Sequence, residues 1–472
     1  MLEYLWCGHR MTRLVASSTF GDSLMTVAKL TKWCVLGLLT FHLCIHVQAL
    51  YAAREGTTKA VAILPFGAPS TGQEREWLSD GMPQVLALRL QQLPQLKVAV
   101  LSRSVDTHVD EVLNPLDNID MGRLFEHLRP LEYDAIIFGH FVQFEPTLRV
   151  EIQVWSMRPE RSLGKTQEQA SERDPDSLGS KIAMFVASAL QVSPSDSEAR
   201  RFAERYTTSA EAFERFSRAL VLAETSDDGE EVAQVVNLFR EAVKLDGKFA
   251  MALRQQGDLL FRRGQYAGAV EAYQALVGVS RRSAVVYRLL GNAYFAQHDA
   301  ARALDTYKRG LQLDTRDYQL YLDIGLAYAA VEDYANATKT FLRALEVKPN
   351  DPLAFANLGV VYLLQGNFPA ATASLRRAQQ LQGSDPILSY NLGLSLMFEQ
   401  AYDQARDQFE RALQLKSDFA AAAYHLALIS ERFDSIQALE RWRKYLALAR
   451  GRPGEHDWVA RAEEHVQTLQ QP

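Results

Sequence analysis

Apolar residues in the second half of the chain follow a helical rhythm whose units repeat at a fixed interval. Five glycines, Gly257, Gly291, Gly325, Gly359 and Gly393, stand 34 residues apart. Twelve residues after each comes an alanine (Ala269, Ala303, Ala337, Ala371, Ala405). Four residues further comes a bulky side chain (Tyr273, Tyr307, Phe341, Leu375, Phe409). Leu290, Ile324, Leu358, Leu392 and Leu426 precede the glycine position, and Tyr294, Tyr328 and Tyr362 follow it by three residues. Several columns sharing one period predict stacked helical hairpins, each too small to bury its apolar face alone. Within one unit, Leu358 and Tyr362 fall one turn apart, Gly366-Asn367 supplies a turn, and a second helix runs through Ala371, Leu375 and Ala378.

Counting outward extends the array to about seven units over residues 209–450. The first is lengthened by the loop Glu224 to Glu230, and the last is atypical, with Arg443 in the bulky column. After Gly451-Arg452-Pro453-Gly454, residues 455–470 read as an amphipathic helix covering the exposed end.

Residues 58–190 carry another pattern. Ala60 to Phe66 is a short apolar run of the kind a buried strand shows, followed by a helix beginning near Asp80-Gly81-Met82-Pro83. A strand is predicted at Lys97 to Leu101, a helix at Met121 to Leu128 and a strand at Asp134 to Phe141. Then Leu148, Val150, Ile152 and Val154 alternate with polar residues, as in a strand with one buried face. Strands alternating with helices predict an α/β sandwich. Residues 191–208, which include Val192-Ser193-Pro194-Ser195, read as a linker to the repeats.

The columns around the five glycines resemble the tetratricopeptide repeat (TPR) family, which implies an all-α superhelical solenoid. Val61 to Phe66, Trp77 to Met82, Leu96-Lys97-Val98 with Ser102-Arg103-Ser104, and Asp134 to His140 resemble, in order and spacing, the TolB N-terminal-like α/β domain. That resemblance implies a multidomain, extracytoplasmic assembly or ligand-sensing protein without catalysis.

Composition narrows the class. With 472 residues, 47% hydrophobic and 23% charged, the chain is globular and long enough for more than one folding unit. Its formal net charge of −6 leaves no basic surplus for nucleic acid. All three cysteines, Cys7, Cys34 and Cys44, lie before Tyr51, so the body forms no disulfide. The apolar stretch Trp33 to Tyr51 follows Lys29 and Lys32 and ends in Val47-Gln48-Ala49, which reads as a cleaved signal peptide or an uncleaved anchor. Residues 1–53 are thus an extension plus export segment, with translation starting at Met1 or Met25. Either reading puts the body in the periplasm or otherwise outside the cytoplasm. Trp33 and Leu43 precede the cysteines, so no lipobox is present.

Catalytic motifs are missing. Gly179-Ser180-Lys181 lacks the rest of a phosphate loop, and no His-Glu-x-x-His pair occurs among the ten histidines. Gly393-Leu394-Ser395-Leu396 lacks the closing glycine of a nucleophile elbow, and His140 stands without partners in the sequence. No catalytic, cofactor or metal site is expected.

The remaining signal is the surface of the first helices, where residues three before and one, four and five after each glycine should face a concave groove. Early units offer Arg254, Asp258, Arg262, Arg288 and Asn292; later ones offer Leu322, Leu326, Val360, Leu363, Leu364, Tyr390, Leu394, Met397 and Phe398. Such a surface suits a peptide with a charged end and an apolar body. The leading expectation is a cell-envelope interaction scaffold binding a protein or peptide partner. The rival is a sensory module whose α/β domain binds a small ligand and signals through the repeats.

Overall fold

The computed structural model describes residues 58–67, 76–101, 121–143, 147–226, 229–452 and 455–470. The export segment expected before residue 54 lies outside them. No helix among the described residues is long and apolar enough to cross a membrane. The chain divides into two compact units, one ending at Arg281 and one beginning at Arg282.

The unit ending at Arg281 opens with β1 (Lys59–Ile63), α1 (Glu76–Leu90), β2 (Leu96–Val100) and α2 (Met121–Leu128). These are followed by β3 (Ala135–Gln143), β4 (Thr147–Met157), β5 (Glu160–Ser171), α3 (Asp176–Ala189) and α4 (Asp196–Ala203). The sheet order is β2-β1-β3-β4-β5, with β1 parallel to β2 and β3 and the remaining pairs antiparallel. Period-2 alternation decides the two faces. Ala62, Leu64, Ile136 and Phe138 join Leu124, Phe125 and Leu128 of α2 in one cluster. Val61, Ile63, Ala135 and Ile137 are buried on the other face, which α1 and α3 cover.

Helix α1 starts earlier than the sequence suggested and carries Pro83 in its interior. Proline cannot donate to the carbonyl four residues back. The Ser79 carbonyl is therefore available, and it accepts from the Phe66 amide at 3.0 Å, fastening the helix to the end of β1.

The expected linker is instead structured. Ser195 and Glu198 form a reciprocal capping box that starts α4. The carbonyls of Phe202 and Glu204, at the end of this helix, accept from Arg89 of α1, each at 3.0 Å. Two hairpins complete this unit: α5 (Ala210–Thr225) with α6 (Gly229–Leu245), and α7 (Ala250–Arg262) with α8 (Tyr266–Val279). Helix α1 packs on α5 as well as on the sheet. A Cβ placed on Gly81 would lie 2.6 Å from the Ser217 Cβ, and Trp77 meets Phe213 edge to face at 6.1 Å.

Among the described residues the second unit holds five hairpins and a final helix. They are α9 (Ala284–Ala296) with α10 (Ala300–Leu313), α11 (Tyr318–Ala330) with α12 (Tyr334–Val347), and α13 (Pro352–Gln365) with α14 (Phe368–Leu381). Next come α15 (Pro386–Phe398) with α16 (Tyr402–Leu415) and α17 (Ala420–Ser430) with α18 (Ser435–Ala449), then α19 (His456–Gln470). Asp299, Asp317, Asp333, Asp351, Asn367, Asp385 and Asp434 each accept backbone N–H groups at a helix start, which stabilises these short helices locally. Each periodic glycine seats the bulky residue sixteen positions later. A Cβ on Gly291 would fall 2.3 Å from the Tyr307 ring, and one on Gly325 would fall 2.6 Å from Phe341. In the last hairpin Trp442 rather than Arg443 enters the core, completely buried. Helix α19 covers this end with Trp458 and Ala462.

Candidate functional site

Position along the first helix of each hairpin decides which side chains can meet a ligand. In the unit ending at Arg281, Arg254 and Arg262 are more accessible than the core residues around them. Asp258 is already engaged: the Tyr273 hydroxyl donates to it at 2.6 Å, and Arg254 lies 3.6 Å away. Burial, then the neighbouring Asp258, push the Tyr273 phenol upward.

The apolar positions of the second unit divide into two groups. Leu326, Leu363, Leu364, Met397 and Phe398 are partly exposed. Leu322, Val360, Tyr390 and Leu394 are core residues, with Tyr390 and Leu394 at 0% exposure. The expectation that these four line an open groove does not match their placement. At these four positions the side chain turns into the packing of the hairpins, where Tyr390 meets Phe419 at 5.1 Å and Phe409 at 5.8 Å. Phe398 stacks on Phe368 at 4.8 Å, so one face of its ring is occupied by the protein itself.

Two residues before the glycine runs a column that the sequence reading passed over: Asp323, Asn357, Asn391 and His425, all buried. Their shared 34-residue spacing, polar in otherwise apolar helices, was the available signal. Buried polar atoms in native structures normally find partners. Here Asp323 Oδ2, Asn391 Oδ1 and His425 Nε2 have none.

Asp323 belongs to a polar cluster on three helices. Tyr307 of α10 donates to Asn292 Oδ1 of α9 at 2.7 Å. Burial pushes the Asp323 carboxyl up to about 7, with Arg288 of α9 opposing and Asp317 reinforcing the shift. Burial and the nearby Asp323 raise the Tyr307 phenol well above its ordinary range. Arg288 Nε is also buried without a partner. The sequence reading singled out Arg288 and Asn292, and the fold adds Tyr307 and Asp323 to them.

His425 lies at the other end of the column, between Tyr390 and Phe409. Its Nδ1 is 2.9 Å from the Ala421 carbonyl. Burial lowers its pKa to about 4, against the opposing effect of that carbonyl.

The α/β region offers less. A hollow open to solvent is lined by Arg129, Tyr133, Met157, Arg158, Pro159 and Glu160, and the Arg129–Glu160 pair at 2.8 Å spans it. His140 is half-buried, and its backbone bridges to Gly67. No group of three or more metal-ligating side chains occurs among the described residues.

Comparison with known proteins bears on the helical part. Models of the tetratricopeptide repeat match residues 322–386 and 388–419, and a TPR repeat model matches residues 257–298. No curated protein sequence matches the chain. Among solved structures, YrrB, described as a TPR protein with an unusual peptide-binding site, is 24% identical; the match covers 42% of this chain and 100% of that one, with a TM-score of 0.36. MamA from Desulfovibrio magneticus RS-1 is 23% identical over 36% of this chain and 96% of its own, with a TM-score of 0.35. PilF from Pseudomonas aeruginosa is 20% identical over 45% and 97%, with a TM-score of 0.40. Tetratricopeptide repeats are thus recognised at residues 257–298, 322–386 and 388–419, within the helical part of the chain.

Proposed function

We propose that the chain is a non-enzymatic interaction scaffold of the cell envelope, holding an extended peptide or protein segment along the first helices of its second unit. The carrying observation is a juxtaposition on α11, α13 and α15. Partly exposed Leu326, Leu363, Leu364 and Met397 share these helices with buried Asp323, Asn357 and Asn391, two of which keep an unpartnered oxygen. Apolar contacts along the partly exposed positions supply the affinity. Export is supported by the basic residues before Trp33 and the small-residue pattern at Val47-Gln48-Ala49. A TolB N-terminal-like identity for the α/β region, and an assembly role there, are supported by element order and the short sequence matches.

The test is capture from an envelope extract with wild type and the double variant Leu363→Ser, Met397→Ser, alongside thermal melts. Loss of one specific partner with a nearly unchanged melt supports the groove. Equal capture, or unfolding of the variant, removes it. Location is tested by fusing reporters after Pro472. Activity of a cytoplasm-only reporter there, with silence of an export-only one, would overturn the envelope assignment.

A further inference from the structure

Three segments of the α/β region form the hollow of about 380 Å³ lined by Arg129, Tyr133, Met157, Arg158, Pro159 and Glu160. Arg158 and Pro159 are the two turn residues of the β4–β5 hairpin, placed by the pairing of Met157 with Glu160. The hairpin is fixed in turn to the chain entering β3, because the Met157 amide donates to the carbonyl of Asp134, next to Tyr133, at 2.8 Å. The third wall is a single 3₁₀ turn, Arg129–Leu131, which ends at Glu132 in the left-handed region with φ 56°. Few non-glycine residues adopt that conformation, and where one does, the surrounding structure imposes it, often beside a binding site. Here it turns the chain between Arg129 and Tyr133, and both line the same hollow. Arg129 meets Glu160 at 2.8 Å, which joins the turn to the hairpin. The walls are set before anything binds.

The lining prescribes what fits. Met157 is buried and apolar, Tyr133 is half-buried, and Pro159 adds a rigid apolar ring. Glu160 holds the Arg129 guanidinium in place, and a planar guanidinium stacks on an aromatic face, while a methionine sulfur favours an aromatic edge. These groups select a flat ring. Of the three charged side chains, Arg129 and Glu160 are engaged with each other, which leaves the hollow the positive charge of Arg158. A guanidinium donates two parallel N–H groups to a carboxylate and repels an ammonium. The volume lies at the small end of ligand pockets, about 300–1,000 Å³, and suits one or two fused rings. We propose that this hollow binds a small aromatic monocarboxylate, its ring against Tyr133, Met157 and the Arg129 guanidinium and its carboxylate on Arg158. The site is independent of the groove reading above and gives the α/β region a ligand of its own.

The probes are 2-naphthylacetate, its neutral amide and 2-naphthylethylamine, which share a ring system and differ in charge. Binding to the full chain is measured by equilibrium dialysis. The expected result is saturable binding of one acid per chain, with the amide and the amine weaker by about tenfold, as for hydrogen bonds to a charged group. Arg158→Gln should bring the acid down to the level of the amide. Arg161→Gln, an exposed arginine beside the hollow but outside its lining, should leave the acid's affinity within about twofold, since exposed charges are screened. Both substitutions are on exposed side chains, so the variants fold as the wild type does. The assignment is overturned if the acid does not saturate at millimolar concentration, if the three probes bind alike, or if the two arginine variants behave alike. It is overturned equally if the Leu363→Ser, Met397→Ser variant loses the acid, which would put the ligand in the groove; retention there leaves the two sites distinct.

Discussion

Arg89 donates to Asp176 at 2.6 Å with both side chains almost fully buried, and this contact ties α1 to the start of α3. The guanidinium also donates to the Phe202 and Glu204 carbonyls and lies 3.9 Å from the centre of the Tyr206 ring. The second Asp176 oxygen accepts from the Tyr206 amide at 2.6 Å. Burial raises the Asp176 carboxyl, while Arg89 and the backbone amides of Tyr206 and Thr207 hold it down. The α/β region and the segment leading into the first hairpin thereby meet around this buried ion pair, with Arg205 and Asp174 pairing beside it at 2.7 Å.

Breaking that pair leaves a buried charge uncompensated, which costs about 3–5 kcal/mol. Asp176→Ala should therefore lower stability strongly in chemical denaturation and open residues 191–208 to proteolysis. The double variant Arg89→Met, Asp176→Leu should cost less than Asp176→Ala alone. A double variant as damaged as the single one would show that packing, not charge, dominates here.

Glycine substitutions should divide by what surrounds them. Gly325→Ala drives a methyl group against the Phe341 ring, only 2.6 Å from its nearest atom, and overpacking of this kind costs about 1–3 kcal/mol. Gly278 is also helical, but a methyl group added there would have nothing within 4 Å. Gly278→Ala should instead raise stability by up to about 1 kcal/mol. Parallel urea titrations decide both signs.

Asp323 ties stability to pH. Unfolded, its carboxyl ionises near 3.8; folded, it holds its proton up to about 7. The folded chain therefore binds more protons between these values, and this contribution falls as pH rises through the window. Asp323→Asn removes the titration. The variant should match wild type only below about pH 3.8, and its advantage should grow through the window to a few kcal/mol at pH 8, read from melts at both ends.

His425 acts in the opposite direction. Its ring gains a proton near 6.5 when unfolded but only near 4 when folded. The unfolded state binds more protons in between, so its contribution is lost as pH falls. Between pH 7 and 5 the loss is about 2 kcal/mol at 1.36 kcal/mol per pH unit. In the Asp323→Asn background, where the opposing carboxyl is silent, acid destabilisation should be steeper than in wild type. His425→Gln in that background should flatten it.

The repeats were legible because a period-34 signal is carried redundantly by glycine, alanine and ring positions. The α/β region was legible where strands are apolar runs. Strand β5 was missed because it lies at the sheet edge and is largely exposed, so its polar sequence has no buried face to read. Arg89 was invisible for a different reason: within a leucine-rich helix it reads as a solvated charge, and its partners lie 87 to 115 residues away. The four apolar positions assigned to an open surface were misplaced because periodicity gives the side of a helix but not how far the next hairpin overlaps it.

The contact of Gly81 with Ser217 bears on how such a chain can change length through gene duplication. From Gly257 to Phe409 the units carry the same glycine seat and bulky column, so gain or loss of one 34-residue block there rejoins like to like. The first hairpin has no such equivalence. Its first helix is shaped to α1, and the Asp246 carboxylate that follows its second helix accepts from Thr207. Copies inserted ahead of it would separate it from the partner it fits, a constraint that insertions within the downstream stack do not meet.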